Sequence, residues 1–279
     1  MKIISQYASL KGTRSSNEDS HNIYNCNDQK NTGECPINFF AVYDGHGGKF
    51  VSNFLSEYLY HFFIDKRVKY PLSKDYVNKV FTAFQELLFE KYSDKSTDCG
   101  STALIVCHYK NNDKNYLNVI NLGDSRCVLC RNNIGVPLTL DHKPMAPLEK
   151  TRIESMGGKI TKTGDTHRIV NLSVSRSFGD KDCSPYVSHV PDIYNYKIDN
   201  NDKFIIIACD GLWDVMTSQE AVNFVIDNCY DKNGNRLPDP ILKEDNSNKK
   251  EFISYKIAEH AIKLKCEDNV TCIIVFFDK

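Results

Sequence analysis

A series of acidic motifs spread along the whole chain constrains its fold more than any other feature. They read Arg14-x-x-Asn17-Glu18-Asp19, Asp44-Gly45-His46-Gly47-Gly48, Gly123-Asp124-Ser125-Arg126, Asp210-Gly211-Leu212-Trp213-Asp214 and Asp268-Asn269. Several of these carboxylates stand beside an apolar run, where a strand should end. Strand ends that are far apart in sequence can converge in space. So much negative charge gathered at one point needs a cation, because unpaired buried carboxylates protonate or unfold their site. Hard oxygen ligands without a His/Cys cluster point to Mg²⁺ or Mn²⁺ rather than Zn²⁺.

The apolar runs predict strands at Phe39 to Tyr43, Thr102 to Tyr109, Leu117 to Leu122, Cys127 to Arg131, Phe204 to Cys209 and Val270 to Phe277, all rich in Ile, Val, Phe and Tyr. The run from Phe204 to Ala208 is apolar throughout and should be covered on both faces. Helical spacing marks Phe50 to Leu59 and Val77 to Leu88. It also marks Ala221 to Ile226, with Ser218 as N-cap, and Ile253 to Leu264. A hairpin from Leu117 to Arg131, turned at Gly123-Asp124, favours antiparallel sheets. Helices segregated from runs of strands indicate an α+β architecture rather than a βαβ repeat. The polar stretch 231–250 reads as a surface loop.

Bulk numbers exclude several classes. The chain has 279 residues, 41% hydrophobic, with 35 Lys plus Arg against 36 Asp plus Glu. The net charge of −1 offers no basic excess for nucleic acid and no charge block for a membrane surface. No apolar run reaches the ~20 residues that span a bilayer, and Met1 to Tyr7 has no apolar leader core. A soluble, intracellular protein, cytoplasmic or nuclear, is expected. The eleven cysteines are an odd number in a long chain, so a disulfide framework is not expected. Cys127-Val-Leu-Cys130 has metal-clip spacing but lies in an apolar alternation without a second pair, and reads as plain strand.

With these motifs in view, the chain resembles the metal-dependent serine/threonine phosphatases of the PP2C (PPM) family. The resemblance runs from Gly12 to Phe276. It rests on the acidic motifs above, in family order, together with Asp98-x-Gly100-Ser101-Thr102-Ala103, Asp141-His142-Lys143-Pro144, Glu149-x-x-Arg152-Ile153, Gly157-Gly158 and Val174-Ser175-Arg176-x-x-Gly179-Asp180. It implies one catalytic domain over 1–279, with a flap at about 141–180. The implied fold is a four-layer α-β-β-α sandwich, with two central antiparallel sheets flanked by helices. Two divalent cations, Mg²⁺ or Mn²⁺, and a weaker third are implied. Asp44 would bridge the two. Asp210 and Asp268 would complete one, Glu18 and the Gly45 carbonyl the other, and Asp124 with Asp210 the third. Arg14 matches the phosphate-binding arginine, suited by its planar fork, and His46 the general acid. Asp19 and Asp214 match positions that order waters around the metals.

The implied reaction is direct attack of a metal-bridging hydroxide on phosphoserine or phosphothreonine of protein substrates, by a monomer, with no phospho-enzyme. That accords with Ser101 and Ser125 lacking an evident base and with the absence of a Cys-x5-Arg loop. Two alternatives stay open: action on small phosphoesters, and a pseudophosphatase that only binds. In the flap, Pro147 to Met156 is expected to be helical, with Leu148, Ile153 and Met156 inward, and His167 to be an exposed loop residue. Members often carry Asn-Gly before the Val-Ser-Arg motif, where this chain has Arg168-Ile169-Val170-Asn171-Leu172.

Overall fold

The computed structural model describes residues 1–26, 37–241 and 248–278. The chain forms two compact units, each assembled from pieces distant in sequence. A terminal unit comprises Met1–Asn17, Arg126–Leu138 and Asp199–Lys279, and a central unit comprises Glu18–Ser125 and Thr139–Ile198.

Each unit holds a five-stranded sheet. In the terminal unit the order is Lys2–Leu10, Val270–Asp278, Asp202–Ala208, Arg126–Arg131, Ile134–Pro137. In the central unit it is Asp192–Lys197, Lys114–Leu122, Ala103–Asn111, Ile37–Tyr43, Ser20–Tyr24. Every ladder in both sheets is antiparallel. The α+β class expected from the sequence is thus observed, with one sheet layer and one helix layer in each unit.

Side-chain alternation explains the layering. In the central unit, Phe39, Ala41 and Tyr43 point to one face with Ile105 and Cys107. There they meet Val51 and Leu55 of helix Phe50–Tyr58 and Val77, Phe81 and Leu88 of helix Lys74–Lys91. Phe81 is fully buried in this cluster, and its truncation to Ala would cost about 3–5 kcal/mol. In the terminal unit, Phe204, Ile206, Ile274 and Phe276 meet Val222 and Val225 of helix Ser218–Cys229 and Ile257 and Ala261 of helix Ile253–Lys263. The alternate residues Ile205, Ile207, Ile273 and Val275 are equally buried, so both faces of the central strands are covered.

Four local expectations need correction. The N-cap of helix Ser218–Cys229 is Thr217, not Ser218. Thr217 closes a capping box with Glu220, whose carboxylate accepts the Thr217 N–H at 2.8 Å. Strands Lys114–Leu122 and Arg126–Arg131 are not a hairpin: they belong to different sheets, each already flanked by other partners. The glycine turn chemistry at Gly123 (φ 110°) serves a change of sheet as well as it serves a hairpin. In helix Pro147–Ser155, Ile153 is buried, but Leu148 is 77% exposed and Met156 stands outside at 42%. Glu149 takes the inward position one turn before Ile153, held there by arginines. His167 is half-buried in strand Thr166–Ile169, opposite Lys162, rather than in an exposed loop.

Of the polar stretch 231–250, residues 242–247 lie outside the described residues. Before them, the Asp231 side chain accepts the N–H groups of Asn233 and Asn235 in an exposed turn. Val170, in the segment where relatives often carry Asn-Gly, adopts φ 55°. That left-handed conformation is strained for a β-branched residue. No helix of the described residues is long and apolar enough to cross a membrane.

Candidate active site

In the central unit, strand Ile37–Tyr43 ends at Asp44. The Asp44 N–H donates to the Thr102 hydroxyl (3.2 Å), and the Thr102 N–H donates to the Asp44 carbonyl (2.9 Å). Two backbone positions thus fix where the Asp44 side chain leaves the sheet. Carboxylate oxygens of Asp44 and Asp124 lie within 4.8 Å of one another, and so do those of Asp44 and Asp19. Glu18 joins the same loops, accepting the Gly48 N–H at 3.1 Å, while the Ser52 hydroxyl donates to the Glu18 carbonyl. The Gly47 backbone (φ 67°) runs so close to Asp98 that a Cβ would stand 2.0 Å from its carbonyl oxygen. Glycine is required there on both counts.

His46 lies in the two-residue strand Gly45–His46, paired with Gly100–Ser101. Its Nε2 is 2.8 and 2.9 Å from the two oxygens of Asp180. The Asp180 side chain is 2% exposed and also receives the Ser177 hydroxyl. A Cβ on Gly100 would fall 2.1 Å from Asp180 and 2.5 Å from His46 Nε2, so Gly100 makes the room for this pair. Burial pulls the His46 pKa down. The hydrogen bond and charge of Asp180, with the charges of Asp124 and Glu18, outweigh it and leave the imidazole above its ordinary value. The central unit therefore holds four acids beside a histidine that is easily protonated and oriented by a buried carboxylate.

Asp124 is 1% exposed. Among the described residues neither of its oxygens has an aligned hydrogen-bond partner, although Lys143 Nζ stands 2.5 Å from Oδ2 as an ion pair. A buried carboxylate that faces one ammonium and has unused acceptor capacity suits a cation-binding position. Ser101 donates to the Thr102 carbonyl, and Ser125 shares a 3.0 Å contact with the Thr102 hydroxyl. Neither is presented as a nucleophile.

The terminal unit carries the other predicted residues. Asp210 opens the short helix Asp210–Trp213 directly after strand Asp202–Ala208. Gly211 lets that turn abut Asn269, whose carbonyl oxygen would be 2.0 Å from a Cβ. Asp268 accepts the Asn269 N–H at 2.7 Å and one Arg14 NH2 at 2.8 Å, and Arg14 Nε donates to the Glu267 carbonyl. The Asn269 amide reaches the carbonyls of Lys11 and Ser16, tying down the loop that carries Arg14. Asp214 is exposed one turn beyond Asp210.

The ten cysteines among the described residues are all free. Burial pushes the Cys130 thiol up to about 11 and the Cys127 thiol higher still, so this pair is strand core and no metal clip. Three participants carry no role that the sequence assigns: Asp180 behind His46, Thr102 behind Asp44, and Lys143 on Asp124. All three lie inside the quoted motifs, and that is the one signal the chain offers for them.

The protein phosphatase 2C family model matches residues 5–270. The chain belongs to the protein phosphatase 2C family. A PP2C-like domain-containing protein of Acanthamoeba polyphaga mimivirus is 45% identical over 173 residues, 58% of this chain and 95% of that protein. A probable protein phosphatase 2C of Oryza sativa is 34% identical, covering 97% of this chain and 75% of the relative. Among solved structures, a C. elegans sex determining protein matches with TM-score 0.81 and 25% identity, over 99% of this chain and 65% of that one. A Toxoplasma gondii serine-threonine phosphatase 2C matches in fold, with TM-score 0.73 at 23% identity, over 99% and 95% of the two chains. The PP2C assignment makes the chain a phosphatase and hence a hydrolase, and the fold class expected from the resemblance is that of these structures.

Proposed function

We propose that the chain is a metal-dependent protein phosphatase that hydrolyses phosphoserine and phosphothreonine. The observation that carries this is the set of carboxylates gathered in the central unit, with Asp124 buried and lacking aligned hydrogen bonds, beside the His46–Asp180 pair. That donor set is all hard oxygen and suits Mg²⁺ or Mn²⁺. The proposed protein ligands are Glu18, Asp44, the Gly45 carbonyl, Asp124, Asp210 and Asp268, with Asp19 and Asp214 ordering nearby water. Bound divalent cations would lower the pKa of a water and neutralise charge on the phosphoryl oxygens.

The residues divide the remaining work. The guanidinium of Arg14 is exposed and can turn its fork to a phosphate. His46, held by Asp180 through Nε2, keeps its ring orientation and can deliver a proton to the leaving serine or threonine alkoxide. No thiol takes part: Cys209 is 1% exposed, and its sulfur is 3.1 Å from the Thr271 N.

The test is hydrolysis of a phosphothreonine peptide and of p-nitrophenyl phosphate by metal-free protein. Turnover of the peptide should appear with Mn²⁺ and vanish with excess EDTA. Turnover of small esters alone would favour the small-substrate reading. No turnover of either with metal bound would favour a binding role.

A further inference from the structure

Lys143 meets Asp124 in a way that matters if Asp124 is a metal ligand, as proposed above. Asp124 has a 1% exposed side chain, and an oxygen of Asp44 lies within 4.8 Å of one of its own. Two carboxylates that close, one of them buried, are costly without positive charge. The structure puts that charge on Asp124 from the protein itself. Lys143 Nζ is 2.5 Å from Oδ2, while the lysine side chain keeps 38% exposure.

The lysine is aimed by its neighbour. The His142 N–H donates to the Gly123 carbonyl at 3.0 Å, and the Gly123 N–H donates to His142 Nδ1 at 3.0 Å. Residue 142 is thereby bonded twice to the loop that carries Asp124. The other ring nitrogen is 3.2 Å from Asp192, and His142 is 3% exposed. Lys143 thus starts from a fixed point next to Asp124 and ends at a solvent-accessible tip. The ammonium is a compact charge on a flexible four-carbon stem with three rotatable donors, and its side chain is 38% exposed. Such a contact can be vacated by side-chain rotation without breaking the backbone anchor.

We propose that Lys143 is the resident counter-cation of Asp124, and that a weakly bound divalent cation must displace it. One carboxylate then serves two cations in turn. The ammonium stands against it in the metal-free protein, and the metal takes its place when metal is abundant. Affinity at this site is lowered by the competition. Because Lys143 stands near the start of the 141–180 segment, displacement also frees its side chain from the Asp124 loop, while His142 keeps its bonds there.

The probe is Mn²⁺ alone, titrated calorimetrically into metal-free protein without substrate. Wild type should show a tighter class of sites and a weaker one. Lys143→Met and Lys143→Gln, which remove the charge at similar size, should tighten the weaker class by about tenfold, the scale of one unit charge screened at a partly exposed site. The tighter class should stay put. Lys143→Arg keeps a cation and should bind like wild type. Asp124→Asn should abolish the weaker class in every background. If the two neutral variants leave the weaker class unchanged while Asp124→Asn removes it, the competition is overturned and the ligand reading stands. A weaker class that survives Asp124→Asn overturns the ligand reading itself.

Discussion

Arg14 and Lys143 each hold a carboxylate of the proposed ligand set, one in each unit, but under opposite conditions. The Arg14–Asp268 pair is open, with side chains 57% and 38% exposed. The Lys143–Asp124 pair joins a 38% exposed lysine to a 1% exposed aspartate. An exposed pair contributes at most about 1 kcal/mol, so Arg14 can exchange Asp268 for a phosphate at little cost. A buried carboxylate is costly to leave alone, so Asp124 keeps a cation against it. The terminal unit offers a loosely engaged arginine for binding, whereas the central unit holds its acids in a net of backbone and side-chain contacts that sets geometry.

The largest effect expected from this contrast falls on the central unit. Asp44→Asn should lower kcat by about a thousandfold or more, since the ligand proposed to serve both cations would be lost. Asp210→Asn and Asp268→Asn should lose severely but less. The check is kcat at saturating Mn²⁺ on variants whose circular dichroism matches wild type. A folded Asp44→Asn with most of its activity would break the ligand assignment.

Next comes the proton donor. His46→Gln should lower kcat on a phosphothreonine peptide by about a hundredfold, and much less on p-nitrophenyl phosphate, whose leaving group needs no proton. Asp180→Asn should follow the same substrate pattern, because it removes the carboxylate that faces Nε2. Equal losses on both substrates would remove His46 from the acid role.

A third test separates buried from exposed ion pairs by acid. Burial alone would raise the Glu149 carboxyl, but hydrogen bonds and charge from Arg176 and Arg152 outweigh it and hold the pKa at about 2, against 4.5 ordinarily. A lowered carboxylate stabilises the fold fully above its unfolded pKa and loses that contribution as pH falls. The window is therefore pH 4.5 down to about 2. Glu149→Gln should cost roughly 3 kcal/mol near pH 7 and converge on wild type at the acid end. Urea unfolding across pH reads this out, and a pH-independent gap would show that Glu149 acts by shape and not by charge.

The smallest effect is expected at the open pair. Arg14→Ala should raise KM for the phosphopeptide by about tenfold with kcat little changed, and should leave urea stability within about 1 kcal/mol. A large stability loss would mean that the Arg14–Asp268 contact is structural after all, and the contrast between the units would collapse.

Much of the site is legible in the chain because its residues are punctuation. Asp44, Asp210 and Asp268 stand beside or close to apolar runs, and Gly45, Gly211 and Asn269 after them mark turns, so their places at strand ends follow from the residue pattern. Asp180 has no such signature. Its role comes from facing His46 across 134 positions of chain, and Gly100, which separates them, looks like any other strand glycine. Glu149 misleads for a related reason. A charged residue is an improbable inward position on a helix, and only Arg152, Arg176 and Ser175, brought in by the fold, make its burial tolerable.

The strands divide along the same line. The sequence by itself determined the six interior strands of the two sheets: Ile37–Tyr43, Ala103–Asn111, Lys114–Leu122, Arg126–Arg131, Asp202–Ala208 and Val270–Asp278 all grow from the predicted apolar runs. The four edge strands, Lys2–Leu10, Ser20–Tyr24, Ile134–Pro137 and Asp192–Lys197, were decided by tertiary structure alone. An interior strand has neighbours on both sides and is buried, so it must be apolar and announces itself. An edge strand has one neighbour and stays partly wet, as the mixed burial along Asp192–Lys197 shows. Its sequence can be that of a loop, and what makes it a strand is the ladder offered by the strand beside it.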